Sequence, residues 1–155
     1  IASLATPAAA ETEVQSFDLG SKGYWKAEYN EGNSQWCSAS SSKSDDSALS
    51  FLINQSGRVS MMIWHPGMDL AETTAKLSIR IDSRKGWTAD DAYYSGSSIF
   101  VEGLVGDVVK EVYYGDNIHL YNRRGEHVET YSLKGSAHAL NLMFDCYSKL
   151  QGPTY

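Results

Sequence analysis

Four histidines, two cysteines and a few aspartate pairs are the residues of this chain with chemistry to offer. His119 and His127 fall on neighbouring predicted strands with Glu129 close by, while His65 and His138 lie elsewhere in the sequence. No His-Glu-x-x-His motif and no short His pair is present, so the spacing that zinc sites use is missing. His119 and His127 are read as a surface hydrogen-bond cluster, with a metal as the minor alternative; no metal and no other cofactor is expected. Acyl transfer needs a nucleophile elbow such as Gly-x-Ser-x-Gly, which the chain lacks, and Gly135-Ser136 reads instead as the N-terminal cap of a helix. Asp45-Asp46 and Asp90-Asp91 are adjacent pairs. Adjacent residues on a strand point to opposite faces, and in a loop they are solvated, so neither makes a glycosidase pair. A spaced Asp-x-Asp-x-Asp calcium loop is also missing. No catalytic residue is assigned.

Cys37 and Cys146 are the only cysteines. A reactive thiol wants a basic neighbour, whereas Cys37 follows Trp36 and Cys146 follows Asp145, whose charge raises a thiol pKa. A structural disulfide is expected, closing a loop of roughly 100 residues and stabilising the fold by up to about 4–5 kcal/mol in the chain-entropy model. Such a bridge requires an oxidising compartment. Residues 1–12 support export: the small-residue run ending Ala8-Ala9-Ala10, followed by Glu11-Thr12-Glu13, looks like the remnant of a signal peptide and its cleavage region. The alternative is a disordered N-terminus. Residues 13–155 are read as a single β-rich domain.

Trp25, Trp36, Trp64 and Trp87 come from four separate predicted strands. Most are expected in the core, and any left outside mark a binding surface, because aromatics are enriched where partners dock. Arg123 and Arg124 sit at a turn tip and join His119 and His127 as residues of a candidate binding surface.

The elements that position these residues follow from periodicity. Strands are expected over 24–29, 35–39, 48–54, 58–64, 76–82, 87–94 and 98–101. Residues 38–47 are read as a serine-rich mobile loop or hairpin tip. Apolar spacing at Leu104, Val105, Val108, Val109 and Val112 predicts a helix over about 103–114, and Ala139, Leu140, Met143 and Phe144 predict another over about 136–149. Residues 118–122 and 126–132 read as a hairpin around Arg123-Arg124-Gly125. Its expected register sets Leu120 against Val128, Ile118 against Thr130, His119 against Glu129 and Tyr121 against His127. The fold class is mainly β, an antiparallel β-sandwich or barrel with two short helices.

Composition bounds the partners. With 42% hydrophobic residues and 12% aromatics over 155 residues, the chain is a folded domain rather than a disordered one. Thirteen basic against nineteen acidic residues leave a net charge of −6 and no basic stripe, which excludes nucleic acid as a partner. No apolar run approaches the roughly 20 residues of a transmembrane helix.

Several features in order carry a resemblance. Gly23-Tyr24-Trp25 opens an early aromatic strand that is followed by Cys37. A glycine-led strand over 57–63 runs into Pro66, and an alternating strand over 77–82 ends in aspartate. The most specific piece is 131–140, in which Leu133-Lys134-Gly135 leads into an alanine-rich helix. Over residues 23–146 this order resembles the invasion-associated locus B family of exported bacterial proteins. The position of the second cysteine departs from the pattern, lying in the terminal helix rather than in mid-chain. The resemblance implies a periplasmic or secreted, non-enzymatic bacterial protein linked to host-cell entry, whose partner is another protein or an envelope component. Two other functions remain open: an inhibitor or immunity-type protein that binds a foreign enzyme through the 38–47 loop, and a small periplasmic hydrolase or metal-dependent enzyme. The sequence leaves the oligomeric state open.

Overall fold

The computed structural model describes residues 13–104 and 106–150. The expected signal-peptide remnant, Val105 and the last five residues lie outside them. The described chain contains ten strands: β1 Gln15–Lys22, β2 Trp25–Glu31, β3 Gln35–Ser42, β4 Ala48–Asn54, β5 Val59–Trp64, β6 Leu70–Ile81, β7 Trp87–Gly96, β8 Ser98–Val101, β9 Asn117–Tyr121 and β10 His127–Ser132. Two helices complete it, α1 Gly106–Tyr114 and α2 Ser136–Leu150. All ten strands belong to one antiparallel sheet in the order β1-β2-β3-β4-β5-β8-β7-β6-β9-β10. The sheet curls into a half-barrel, as the mainly-β expectation required.

Period-two alternation sends one side of each strand into the concave face. Cross-strand partners there form continuous rows. One row passes from Ala27 through Ala39, Phe51 and Met61 to Val101, all buried. Another brings Ile79 beside Leu120, with Ile81 beside Ile118. The apolar faces of both helices complete this core: Val108, Val109 and Val112 from α1, and Ala139, Leu140, Met143 and Cys146 from α2.

The structure corrects the sequence reading in four places. β1 was not expected; it is an edge strand, exposed nearly throughout and bulged between Asp18 and Gly20, so its apolar alternation is limited to Phe17 and Leu19. β6 begins at Leu70 rather than 76, its first half hidden by irregular pairing with β7. The 38–47 loop shrinks to 43–47, because β3 continues to Ser42 and its serines pair with β4. The β9–β10 hairpin keeps Tyr121 opposite His127 and Gly125 in the left-handed region (φ 77°), but a bulge between His127 and Glu129 shifts every later pair. Leu120 then faces Glu129, His119 faces Thr130 and Ile118 faces Tyr131. Burial decides this. The shift carries the large Tyr131 ring (1% exposed) and Leu133 into the core, which outweighs leaving Val128 only half-buried.

Helix α2 is held at both ends. At its C-terminal end Cys146 is bonded to Cys37 of β3, across 109 positions of sequence. At its start, the β1–β2 turn presses backbone against backbone on the β10–α2 junction. Tyr24 N–H donates to the Lys134 carbonyl at 3.0 Å, and Trp25 Nε1 donates to the Ser132 carbonyl at 2.8 Å. A Cβ on Gly135 would lie 1.8 Å from the Lys22 carbonyl oxygen, and one on Gly23 would lie 2.4 Å from that of Lys134. The Ser136 side chain does not cap the helix as expected: its hydroxyl donates to the Val112 carbonyl and ties α2 to α1. Gly135→Ala should cost at least about 3 kcal/mol in urea unfolding, since both φ (95°) and space forbid it. Gly125→Ala, with a similar φ but open space, should cost about 1 kcal/mol. Equal losses would show that the junction is not tightly packed.

Candidate functional site at the open end of the sheet

Three segments bring ionisable and hydroxyl groups together at one end of the concave face. The 43–47 loop supplies Lys43, Asp45 and Ser47; the residue after β5 supplies His65; β10 supplies Glu129 and Tyr131. Glu129 stands there because of the bulge, which turns its carboxylate to the side of Leu120 and away from His119. The three-residue grouping of His119, His127 and Glu129 therefore does not form.

Glu129 is the hub. Its Oε1 takes the Lys43 ammonium and, at 3.3 Å, the Thr130 amide; its Oε2 lies 3.7 Å from His65 Nε2. The side chain is 15% exposed, so these charges attract through a medium less screening than bulk water. Lys43 also stands 4.7 Å above the centre of the Tyr131 ring, a cation–π contact. Asp45 Oδ1 accepts both the Ser47 hydroxyl (2.6 Å) and the Ser47 amide (3.0 Å), and these two bonds hold its carboxyl below the usual range. His65 accepts the Gly67 amide at Nδ1 (3.2 Å), so its ring proton belongs on Nε2, facing Glu129. Burial pushes the Tyr131 phenol up to about 12. Its hydroxyl makes no hydrogen bond of 3.5 Å or less among the described residues; the Ser47 side chain lies near enough to pull its pKa down, and the Glu129 and Asp45 charges push it up.

The residues singled out in the sequence are spread over both faces. Trp25 is core, 1% exposed and stacked on Phe51. Trp87 is half-buried beside Ile79 and donates Nε1 to Glu111 of α1. Trp36 and Trp64 point to the convex face, Trp36 half-buried and Trp64 44% exposed. Around Trp64 the convex rows set Met62 beside Phe100 and Phe100 beside Tyr93, itself 41% exposed, with Ser40 and Ser50 continuing the row. Both helices pack on the concave side, so neither covers this surface. His119 Nδ1 and His127 Nε2 converge on the Thr130 hydroxyl at 2.9 and 2.7 Å, also on the convex side but on the last two strands. Arg123 and Arg124 are exposed at the β9–β10 turn.

The Glu129 cluster escaped the sequence reading because its members are distant in sequence and because an unbulged β10 puts Glu129 on the other face. The one available signal was Tyr131: only a shifted register buries that aromatic. In metal-free buffer, Tyr131→Phe should leave stability at pH 7 unchanged or raise it by about 1 kcal/mol, because the hydroxyl it removes has no partner. The unfolded phenol ionises near 10 while the folded one keeps its proton to about 12, so the Tyr131 contribution is intact below pH 10 and lost as pH rises toward 12. The Phe variant should lose less stability over that window. A loss above about 1 kcal/mol at pH 7 would show that the hydroxyl is satisfied.

No protein-family model matches the sequence, and no curated protein matches it. Among solved structures, the crystal structure of invasion associated protein B from Bartonella henselae is similar, with a TM-score of 0.59 over 86% of this chain and 99% of that one, at 17% sequence identity. Two of the segments that carried the sequence resemblance, 23–25 and the specific piece 131–140, meet at the junction between the β1–β2 turn and the start of α2. The chain is a distant structural relative of invasion associated protein B and shares its fold.

Proposed function

We propose that this chain is an exported, non-enzymatic binding protein of the bacterial envelope, and that the convex surface around Trp64 is where it meets a protein partner. The observation that carries the reading is that surface: Trp64 and Tyr93 stand exposed beside Met62 and Phe100 on a sheet face that neither helix covers. Contiguous apolar surface rimmed by small polar residues is where soluble proteins dock. The Cys37–Cys146 bridge supports an extracytoplasmic location, since such bonds persist in oxidising compartments. Among the described residues no helix is long and apolar enough to cross a membrane. The structural relative, titled an invasion associated protein, supports an envelope role linked to host-cell contact.

The inhibitor reading loses its mobile loop, because the 43–47 segment is tied down by Lys43 on Glu129 and by Asp45 on Ser47. A photo-activated crosslinking residue placed at position 64 or 93, and as a control at the exposed position Lys110 on α1, tests the proposal in intact cells of the source organism. Discrete adducts with one protein from 64 and 93, and none from 110, are expected. Adducts of equal yield from all three positions, or from 110 alone, would overturn the assignment of this face.

A further inference from the structure

We propose that Asp45, His65 and Glu129 form a binding site for a divalent transition ion of the zinc class. One ligand atom from each lies within 4.8 Å of the other two. That is wider than the roughly 3.4 Å between neighbouring ligands around an ion with bonds of about 2.1 Å, so small rotations of exposed Asp45 close the site. The His65 Nε2 to Glu129 Oε2 separation of 3.7 Å already fits a single ion between them. The Lys43 pair does not block it, because Lys43 holds Oε1 and leaves Oε2 facing His65. Ser47 likewise occupies Oδ1 of Asp45, leaving Oδ2 for the ion.

Clustered carboxylates alone are common on surfaces. The second, independent observation here is Tyr131, 1% exposed, whose hydroxyl makes no hydrogen bond of 3.5 Å or less and feels the Ser47 side chain and the charges of Glu129 and Asp45. A buried hydroxyl without a partner is expensive, and an ion or its bound water at this point supplies one. The donor set of one imidazole and two carboxylates selects zinc or manganese over calcium and magnesium, which prefer an all-oxygen shell. Its two carboxylates carry two negative charges, one of them shared with Lys43, so the bound ion leaves the cluster with a net charge of about +1. Coordination through Nε2 moves the ring proton to Nδ1, so the Gly67 amide must give up its 3.2 Å bond there. The bound ion would clasp the 43–47 loop and the end of β5 to β10, at the far edge of the sheet.

The test is titration of the tag-free protein with zinc chloride, read by calorimetry, by melting temperature and by the amide resonance of Gly67. One zinc per chain is expected, with a rise of about 5–10 °C in melting temperature at a hundredfold excess over Kd. The Gly67 amide should shift. His65→Gln and Asp45→Asn should each weaken binding more than about tenfold. His119→Gln with His127→Gln should leave it unchanged. Both test positions are polar and away from the sealed core, and circular dichroism confirms that each variant is folded. No binding at millimolar zinc, or binding lost with His119 and His127 but kept in His65→Gln, would overturn the proposal.

Discussion

Burial of the apolar face of α2 against the concave side of the sheet is the interaction from which the remaining geometry follows. A ten-stranded antiparallel sheet with one apolar face needs a cover, and α2 supplies it over β1 to β4 while α1 adds to it alongside. The cover is fixed covalently at one end, through Cys146 to β3, and by a backbone-to-backbone junction at the other. Between these points Ala139, Leu140 and Met143 lose all contact with water. Deep packing of this kind stabilises mainly by removing apolar area from water, at roughly 25 cal/mol per Å². The bridge acts on the other side of the balance, by shrinking the unfolded ensemble.

Two consequences bear on function. Because α2 and α1 both lie in the concavity, neither helix covers the convex face, and Trp64 and Tyr93 stand exposed there. Because the sheet stops short of a closed barrel, its far strands must be held by side chains. Trp25 does this at one point, reaching from β2 to the Ser132 carbonyl, and Glu129 does it at another, reaching from β10 to Lys43. A structural role thus explains why the segments that resemble the invasion-associated family sit where they do. Segments 23–25 and 131–140 build the junction that seats α2, and the fold shared with that structure does not imply a shared partner.

Much of this architecture is legible in the residues. Strict alternation over 77–81 marks β6, and the serine-to-apolar pattern of 48–54 marks β4 with its ends correct. The change of period at Val108 and again at Ala139 marks both helices. What stays hidden depends on long-range pairing. β1 offers only Phe17 and Leu19 before its bulge, too short an apolar pattern to mark a strand, which an edge strand tolerates. The serines of β3 read as a loop by propensity, yet a strand between β2 and β4 is imposed by its neighbours. The β10 bulge is invisible to a register argument that weighs Leu120 against Val128 and overlooks Tyr131 two turns of alternation later. The candidate site fails with it. His119 and His127 are correctly on the outer face, where they share one threonine hydroxyl, but Glu129 belongs to the opposite face with His65 and Asp45.

The account stands on a bridged chain working outside the cytoplasm, and an intact-mass measurement addresses that directly. The protein is taken from the envelope fraction of its own organism without reductant, denatured and treated with a thiol-alkylating reagent. The account predicts a mass two hydrogens below that of the reduced chain and no alkylation at Cys37 or Cys146. Recovery from the cytoplasm with both cysteines alkylated would contradict it.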